Sequence, residues 1–481
     1  MTFYNRAIVT SPGLVTDLYQ LTMAQGYWQH GLAERKAVFQ LFFRRAPFGG
    51  RFLLVCGVQA VIDFLQHWRF SEGDLHYLAT LSTPNGKPLF CAEFLDYLRQ
   101  ITFRGEVWGV PEGTILFPNE PILRVQAPLV IAQLLETPLL NVIGFASLVA
   151  TKAVRICRAA APNPVIEFGL RRAQGFEAGL IASRAAYVGG CPATSNVLAG
   201  SAFGIPVRGT QAHSWVLSFD DESAAFRAYA ASYPTGCILV VDTFNTIDGI
   251  RNAIAVAQEL KGKDQRLLGI RLDSGDLAKL SRCAREMLDD AGLHDVMILA
   301  SGDLDEYRIA RLKFEGACVD SWGVGTRLAT AFDEPALAVV YKLTAIQNER
   351  GEWEDKMKIS SEKAKRTIPG ILQVRRFYSQ GRAVCDLLYD ERDTGEDRES
   401  PRLRNQVSNE TKDLLIQLIG REGRSSYHPD LETIRRYAEQ EISSIPENVL
   451  AIRRSAPFKV LLSRGIVRRQ RRLQFSKESN P

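Results

Sequence analysis

The chain has 481 residues, which is too long for one average domain and predicts two or three. Hydrophobic residues make up 46% and charged residues 23%, as is ordinary for a globular protein with a large core. The net charge of +5 is unevenly placed, because residues 450–481 carry nine Lys or Arg and one acid. Such a basic end can bind nucleic acid, but no nucleic-acid-binding motif accompanies it, so we interpret it as a solvated terminal helix or a frayed end.

The cysteines and the apolar segments favour a cytoplasmic protein that does not span a membrane. No two of the eight cysteines are closer than 34 positions, which excludes a CxxC-type pair and fits a reducing compartment. The N-terminus has no apolar run after a basic start, so it does not predict a secretory signal. The most apolar stretch, residues 127–150, is interrupted by Gln133, Glu136 and Asn141, and we interpret it as a core helix.

The first third of the chain predicts helices and a small antiparallel sheet. Thr16 and Asp17 stand at the capping position of a helix over residues 16–31, and an apolar run predicts a strand that ends at the turn Pro47–Gly50. Short β-prone runs between Pro and Gly predict the sheet over residues 102–126. Further helices are predicted over residues 58–68, 74–81, 89–100 and about 128–147.

From about residue 163 to residue 330, short apolar strands alternate with helical segments, which is typical of a parallel α/β architecture. Each strand stops at a polar residue or a glycine. In an α/β barrel the carboxyl ends of the strands meet on one face and carry the active site, so these stops are candidate site residues. The strand segments are IEFGLRR, IPVRGTQAHS, CILVVDTFNT, LLGIRLDSGD, VMILASGD and DSWGVGTRL.

The last third predicts strands again and then helices. VVYKLTAI, WEDKMKISS, GILQVRRFYS and RAVCDLLYD read as strands that return to the first sheet. Residues 390–412 are loop-like, and helices are predicted over residues 411–420 and 428–443. We therefore expect an N-terminal α+β domain (1–127), an α/β barrel domain with the active site (128–338), and a C-terminal part of returning strands, helices and the basic end (339–481).

The segment Gly269–Asp276 is the strongest single motif. Arg271 ends a strand, and Asp273, Ser274 and Asp276 crowd the tight turn that follows. Two carboxylates at a strand end could hold ribose hydroxyls or a hydrated Mg²⁺, and the guanidinium could fork onto a planar anion. The alternative is a structural turn whose aspartate caps the next helix.

Two glycine loops follow successive strands and favour a phosphosugar. Gly302 follows the strand VMILA, and Gly323, Gly325 and Thr326 follow DSW. Glycines let backbone N–H groups approach a phosphate, and a following helix adds its dipole. One such loop is more often an ordinary strand-to-helix turn, but two at late positions of a barrel agree with phosphate binding.

A histidine and an aromatic–arginine pair complete the candidates. His213 lies among small polar residues at a predicted strand end, where it could be a general base, a phosphate contact or a phosphoryl acceptor, or simply a structural histidine. Phe168 and Arg171 are three residues apart and suit a flat heteroaromatic carboxylate. Core packing and a surface ion pair are the alternatives for these two.

Together these motifs resemble the nicotinate phosphoribosyltransferases from about residue 14 to about residue 465. The resemblance implies a type II phosphoribosyltransferase fold, an irregular α/β barrel with an N-terminal sheet domain completed by later segments. It also implies a homodimer with a shared active site. The motifs, in chain order, are TDLYQLTMAQGYW, FQLFFRRAPFGG, EFGLRRAQG, ATSNVLAG, GTQAHS, VDTFNT, RLDSGDL and GVGT.

The family reaction joins nicotinate to phosphoribosyl pyrophosphate with ATP hydrolysis, giving nicotinate mononucleotide and pyrophosphate, with Mg²⁺ or Mn²⁺ as cofactor. The resemblance implies that His213 becomes a phosphohistidine and that Tyr19 reaches nicotinate from the neighbouring subunit. Asp242, Asp273 and Asp276 would serve the ribose, and the first two would also hold the metal. Nicotinate would contact Phe168, Arg171, Thr210 and Arg271, and the phosphoribosyl group would contact Ser274, Gly302, Gly323, Gly325 and Thr326.

Several alternatives stay open at this point. Nicotinamide enzymes of related sequence carry an acidic residue where Ser195 and Asn196 stand, so its absence favours nicotinate over nicotinamide. Quinolinate would require a second basic cluster, which we do not find. A phosphosugar aldolase or isomerase would explain the glycine loops but not Tyr19, and a nucleic-acid-associated scaffold would rest on the basic end alone. We expect small-molecule substrates and neither nucleic acid nor a membrane as partner.

Overall fold

The structure is a computed structural model that describes residues 11–261, 265–360, 362, 366–400, 403 and 410–478. The chain divides into two compact units. Unit 1 comprises Met1–Thr151 and Ala336–Pro481, and unit 2 comprises Lys152–Pro335.

The helices, in chain order, are α1 (Leu18–Gln29), α2 (Val58–His67), α3 (Glu72–Thr80), α4 (Ala92–Gln100), α5 (Leu129–Leu134), α6 (Glu136–Ala160), α7 (Phe176–Val188), α8 (Val197–Phe203), α9 (His213–Leu217), α10 (Glu222–Ser232), α11 (Thr246–Lys261), α12 (Leu277–Asp290), α13 (Glu306–Phe314), α14 (Thr326–Ala329), α15 (Leu431–Ser444) and α16 (Arg464–Glu478).

The strands are β1 (Lys36–Phe43), β2 (Leu53–Leu54), β3 (Glu106–Gly109), β4 (Ile115–Leu116), β5 (Pro121–Pro128), β6 (Val165–Glu167), β7 (Ala193–Thr194), β8 (Ile238–Val240), β9 (Gly269–Leu272), β10 (Met297–Ala300), β11 (Ser321–Val324), β12 (Val339–Gln347), β13 (Trp353–Asp355), β14 (Leu372–Ser379), β15 (Arg382–Asp390), β16 (Glu410–Asp413), β17 (Ile416–Ile419) and β18 (Val460–Leu462).

Unit 1 is built on an antiparallel sheet of six strands in the order β13-β12-β1-β5-β3-β17. Its centre is β1, which is buried from Ala37 to Phe43 and pairs with β12 on one side and β5 on the other. The predicted return of later strands to the first sheet is thus confirmed for β12 and β13. It is wrong for β14 and β15, which pair with each other in a separate sheet of order β16-β14-β15-β18.

Unit 2 contains a parallel sheet of six strands in the order β7-β6-β11-β10-β9-β8. The predicted alternation of strands and helices is confirmed, since β8 to β11 are each followed by a helix. Central strands are almost wholly buried, as expected for a parallel sheet covered on its faces. Among the described residues, the outer strands β7 and β8 do not pair with each other, so hydrogen bonds do not close this sheet into a complete ring.

Two element predictions in these units are wrong. Residues 411–420 do not form the predicted helix but contribute to β16 and β17. The apolar residues of such a short segment do not distinguish a helix from a strand. Pairing with β14 and β3 decides for strands. The segment IPVRGTQAHS is not a strand but makes an isolated parallel bridge from Val207 to Thr194, and then enters α9 at His213. Pro206 precedes that bridge and lacks the N–H of a regular ladder.

The long apolar segment forms α5 and α6, which extend beyond the predicted end at residue 147. Helix α6 has the length and hydropathy of a membrane-spanning helix, but 78% of its most apolar window is buried inside the protein. That burial agrees with the predicted core helix.

The basic C-terminal end forms helix α16, but its described part is docked rather than solvated. Ile466 is fully buried, and the arginines beside it face carboxylates of unit 1. Arg469 Nη2 lies 2.5 Å from Asp393 Oδ1, and Arg472 Nη2 lies 3.2 Å from Asp355 Oδ2. These acids lie far from the helix in sequence, so composition did not reveal that they neutralise the basic end.

Candidate functional site

The carboxyl ends of the parallel strands in unit 2 surround a cavity of about 200 Å³. Strands β6, β9, β10 and β11 each contribute the residues that directly follow or end them. Most of the residues that were predicted from the strand ends therefore come together. The lining consists of Phe168, Arg171, Arg172, Arg271, Asp273, Ser301, Gly302, Asp303, Gly323, Gly325 and Thr326.

Arg271 is held at the floor of this cavity by three side chains. Its Nε donates to Ser301 Oγ at 2.8 Å, its Nη1 to Thr210 Oγ1 at 2.9 Å, and its Nη2 to Asp273 Oδ1 at 2.7 Å. Because the guanidinium is planar and all three of its nitrogens are engaged, its plane is fixed before any ligand arrives. The segment carrying Thr210 is thereby tied to β9.

Asp273 remains a carboxylate in this setting. Burial alone would raise the pKa of Asp273, but the hydrogen bond from Ser301 and the charge of Arg271 more than offset burial, and the pKa is lowered from its ordinary value. Ser301 Oγ donates to Asp273 Oδ1 at 2.5 Å. The negative charge of Asp273 is thus available at neutral pH to orient Arg271 or to hold a cation.

Asp242, which follows β8, contributes a second carboxylate to the same turn. Its Oδ2 accepts the backbone N–H of Asp273 at 2.9 Å and the hydroxyl of Ser274 at 2.6 Å. Its Oδ1 is buried and has no hydrogen-bond partner among the described residues. No group of three or more potential metal-binding side chains occurs among the residues described. An oxygen without a partner is costly to bury, and a cation shared with a bound phosphate would satisfy it.

His213 is the first residue of α9 and lies beside this pair of carboxylates. Its Nδ1 is 3.1 Å from Thr243 Oγ1, and its Nε2 is 3.7 Å from Asp273 Oδ2. The side chain is 40% exposed. The contact with Thr243 orients the ring and leaves Nε2 without a hydrogen bond to a described residue.

Close backbone approaches explain the glycines of the two loops. A Cβ on Gly323 would lie 2.7 Å from the ring of Phe168, so the absence of a side chain makes room for that ring. Gly302 has φ +95°, and a Cβ there would lie 2.1 Å from the carbonyl oxygen of Asp273. Thr326 is the first residue of α14, directly after Gly325. The glycines therefore allow the strand ends to pack closely, and this role does not depend on a ligand.

Arg171 and Arg172 lie on a single 3₁₀ turn, Leu170–Arg172, at the exposed rim of the cavity. Neither guanidinium forms an ion pair or hydrogen bond with another described residue. The surface ion pair that was an alternative for Arg171 is therefore absent from the described part of the chain. Arg172 was not among the predicted site residues, although its neighbour was, because sequence alone does not show which of two adjacent arginines faces a cavity.

Three predicted residues have other surroundings. Asp276 caps α12, since its Oδ1 accepts the N–H of Lys279 at 3.1 Å, as the structural alternative for this motif required. Ser274 is exposed and bonds Asp242 rather than lining the cavity. Tyr19 lies on α1 of unit 1, where its side chain is 49% exposed; burial, followed by the charges of nearby carboxylates, raises the pKa of its hydroxyl.

Glu167 is a buried carboxylate next to the site that sequence reasoning missed. It accepts the hydroxyls of Ser183 and Thr194 at 2.9 Å and 2.6 Å, and also the N–H of Gly169. An acidic residue inside the apolar strand β6 was the available signal. Glu167 fixes the backbone on both sides of Phe168.

Asn196 is fully engaged in the structure. Its side-chain oxygen accepts the N–H of Ala199 at 3.3 Å to cap α8, and its amide donates to Ser183 Oγ at 3.1 Å. Of the two positions that could distinguish nicotinate from nicotinamide, Ser195 therefore has the less constrained side chain.

The chain is similar to known proteins over nearly its whole length. Residues 14–144 match the family profile described as the nicotinate phosphoribosyltransferase N-terminal domain, and residues 164–384 match the nicotinate phosphoribosyltransferase family. The nicotinate phosphoribosyltransferase of Bacillus subtilis (strain 168) is 42% identical, covering 94% of this chain and 93% of its own. The human protein of that name is 37% identical, covering 78% and 79%.

Solved structures show the same similarity in three dimensions. The crystal structure of human nicotinic acid phosphoribosyltransferase aligns with a TM-score of 0.79 at 32% identity, covering 96% of this chain and all of that one. A nicotinate-nucleotide pyrophosphorylase from Pyrococcus furiosus aligns with a TM-score of 0.70 at 23% identity, over 92% and 97% of the two chains, and shares the fold. By sequence and by structure, the chain belongs to the nicotinate phosphoribosyltransferase family.

Proposed function

We propose that the strand-end cavity of unit 2 is where this protein joins nicotinate to the phosphoribosyl group of phosphoribosyl pyrophosphate. The observation that carries this proposal is the cluster of Arg271, Asp273 and Ser301 beside Phe168 and the two glycine loops. One cavity thereby offers an aromatic face, a guanidinium, carboxylates and phosphate-binding backbone. The products are nicotinate mononucleotide and pyrophosphate, so the protein acts in NAD biosynthesis.

Nicotinate needs a flat apolar surface for its ring and a positive group for its carboxylate. Phe168 supplies the surface, and its ring fits against Gly323 because glycine has no side chain there. Arg271, with its plane fixed by Thr210, supplies the positive group, and Arg171 adds charge at the rim. Tyr19 of a neighbouring subunit would cover the open face of the ring in a homodimer.

The phosphoribosyl group is assigned to the other side of the cavity. Gly302, Gly325 and Thr326 would offer backbone N–H groups to the 5′-phosphate, with Gly323 in the strand just before them. Ser274, Asp242 and Asp276 lie at or near the turn that would face the ribose. The pyridine nitrogen attacks C1 with its lone pair while the bond from C1 to the pyrophosphate oxygen breaks. Pyrophosphate leaves with that electron pair, so the protein must chiefly position the two partners.

Asp242 and Asp273 are the residues that would hold a divalent cation at this site. The unpartnered Oδ1 of Asp242 and the ionised Asp273 are oxygen ligands of the kind that would hold Mg²⁺ or Mn²⁺. Such a cation would neutralise charge on the leaving group. The residues themselves hold the turn of β9 in place through the backbone N–H of Asp273.

We assign the coupling to ATP to His213. Its accessible Nε2 can take the γ-phosphoryl group of ATP, releasing ADP, and water later cleaves the N–P bond to release phosphate. The phosphoryl group would stand close to Asp273, because Nε2 is 3.7 Å from its Oδ2. Negative charge added there would reorganise the residues around the pyrophosphate, which would link ATP hydrolysis to turnover. A cytoplasmic location is part of this proposal, and the metabolic substrates and the wide spacing of the eight cysteines support it.

Replacing Phe168 tests the assignment of the nicotinate site. We expect Phe168→Ala to raise the KM for nicotinate by roughly tenfold, which corresponds to the binding free energy of one ring-stacking contact. The KM for phosphoribosyl pyrophosphate should be unchanged. Phe314→Ala is the matched control, because Phe314 is 93% exposed on α13. Unchanged nicotinate kinetics in Phe168→Ala would show that nicotinate binds elsewhere.

A further inference from the structure

The charges that line the cavity are not balanced. Arg271 is paired with Asp273, is also bonded to Ser301 and Thr210, and is already assigned to the nicotinate carboxylate, so it does not serve the phosphates. Asp303 is the other acid in the lining. Arg171 and Arg172 are the remaining cations, and neither is paired with a described residue. The proposed substrate carries a 5′-phosphate and a pyrophosphate, which is far more negative charge than one free arginine can neutralise.

The turn that carries the two arginines is anchored against the glycine loop. Gly169 precedes it, and a Cβ on Gly169 would lie 2.3 Å from the Cβ of Ala329 and 3.0 Å from the carbonyl oxygen of Gly325. The N–H of Arg172 donates to the carbonyl of Gly169 at 2.8 Å, which closes the turn. The backbone of Arg172 is therefore fixed relative to the segment that begins α14.

Consecutive residues on a 3₁₀ helix point about 120° apart, because the helix has three residues per turn. Arg171 and Arg172 both line the cavity in spite of this divergence. Side chains that leave the turn in different directions can reach different parts of the cavity, so the two arginines suit two separate anionic groups. The proposed reactants present such groups on different molecules, namely the carboxylate of nicotinate and the phosphates of the phosphoribosyl substrate.

We propose that Arg172 is a phosphate-binding arginine of this site, acting on a phosphate group of the phosphoribosyl substrate while Arg171 serves the nicotinate carboxylate. This inference rests on the proposed function, because that function supplies the doubly phosphorylated substrate. Arg172 would act in binding and in neutralising charge, without taking part in bond making. The exposed guanidinium of Arg172 breaks no ion pair with a described residue when an anion binds, and it gains a charge-assisted hydrogen bond to that anion.

Steady-state kinetics of Arg172→Ala test the proposal. We expect the KM for phosphoribosyl pyrophosphate to rise by about tenfold, the value of one charge-assisted hydrogen bond, with an unchanged KM for nicotinate and unchanged melting temperature. Arg172→Lys should recover part of the loss, because it restores the charge without the fork. Arg251→Ala is the matched control, since Arg251 is exposed on α11 and, among the described residues, pairs only with Asp248. An unchanged KM for phosphoribosyl pyrophosphate in Arg172→Ala overturns the proposal.

Calorimetric binding of inorganic pyrophosphate and of ribose 5-phosphate separates this inference from the proposed function. If the wild-type protein makes no mononucleotide, the function fails, but these titrations still test Arg172. Weaker binding of pyrophosphate in Arg172→Ala assigns the arginine to the leaving group, and weaker binding of ribose 5-phosphate assigns it to the 5′-phosphate. Equal binding of both anions to wild type and Arg172→Ala overturns the inference.

Discussion

Asp273 shows how single residues of this site depend on one another. Its Oδ1 accepts hydrogen bonds from Arg271 and Ser301, and its Oδ2 faces His213. The group proposed to bind nicotinate and the group proposed to receive phosphate from ATP therefore share one carboxylate. A change at any of these residues will alter the others, so their mutational effects should not add.

His213→Ala separates the role in ATP coupling from the role in structure. The side chain is 40% exposed and its ring makes one hydrogen bond, to Thr243, so we expect the variant to fold with a melting temperature near that of wild type. Stimulation of mononucleotide formation by ATP should be lost, because Nε2 is the proposed phosphoryl acceptor. Initial rates with and without ATP measure this directly. A variant that still responds to ATP like the wild type would refute the phosphohistidine.

At the scale of elements, helix α16 shows that a charged segment can be part of the folded core of its unit. Arg469 reaches Asp393 and Asp355, whose side chains are 5% and 4% exposed. Removing Arg469 would leave these acids buried beside fewer positive groups, which is more costly than losing a surface ion pair.

We therefore expect Arg469→Ala to lower the free energy of unfolding by about 3 kcal/mol, as for other buried ion pairs that lose one partner. Arg471→Ala is the control, because Arg471 is exposed on the same helix and pairs with no described residue. Urea denaturation of the two variants and the wild type gives the comparison. Equal stability of both variants would mean that α16 is only loosely attached to unit 1.

The sequence predicted elements well where local pattern and tertiary partners agree. The capped helix α1, the strand β1 and the strand-to-helix alternation of unit 2 are examples. In each, the spacing of the apolar residues is compatible with only one type of secondary structure. Residues 411–420 failed because their pairing partners, β14 and β3, lie far away in the chain. The docking of α16 and the burial of the Glu167 carboxylate were not predicted either, because their partners are also distant in sequence.

The candidate site followed from sequence to a similar extent. Arg271, Asp273, Phe168 and the glycines were predicted because they end parallel strands, and strand ends meet at one edge of a sheet. Arg172 and Glu167 were missed, because their roles depend on which way a short turn faces and on which hydroxyls surround a strand end. Such details are set by packing and have no periodic signal in the chain.

At the level of the whole molecule, the surface of helix α1 bears on the proposed homodimer. Leu18, Tyr19 and Met23 are exposed on this helix, which is unusual for large apolar side chains on one element. A homodimer in which Tyr19 enters the site of the other subunit would bury them.

Mixing two inactive variants tests such sharing. In a dimer of Tyr19→Ala with Asp273→Asn, one site would combine an intact cavity with an intact Tyr19 from the other subunit. We expect a refolded equimolar mixture to regain up to about a quarter of wild-type activity, since half of the dimers are mixed and half of their sites are complete. If Tyr19 serves the site of its own chain, the mixture should be no more active than the separate variants.

Product formation by the purified protein shows whether it transfers a phosphoribosyl group to nicotinate. Nicotinate, nicotinamide and quinolinate would be offered separately with phosphoribosyl pyrophosphate and Mg²⁺, with and without ATP, and the mononucleotides separated by chromatography. We predict product from nicotinate, at a rate raised by ATP, and none from the other two. Product from nicotinamide or quinolinate in place of nicotinate, or no product from any of the three, would contradict the account.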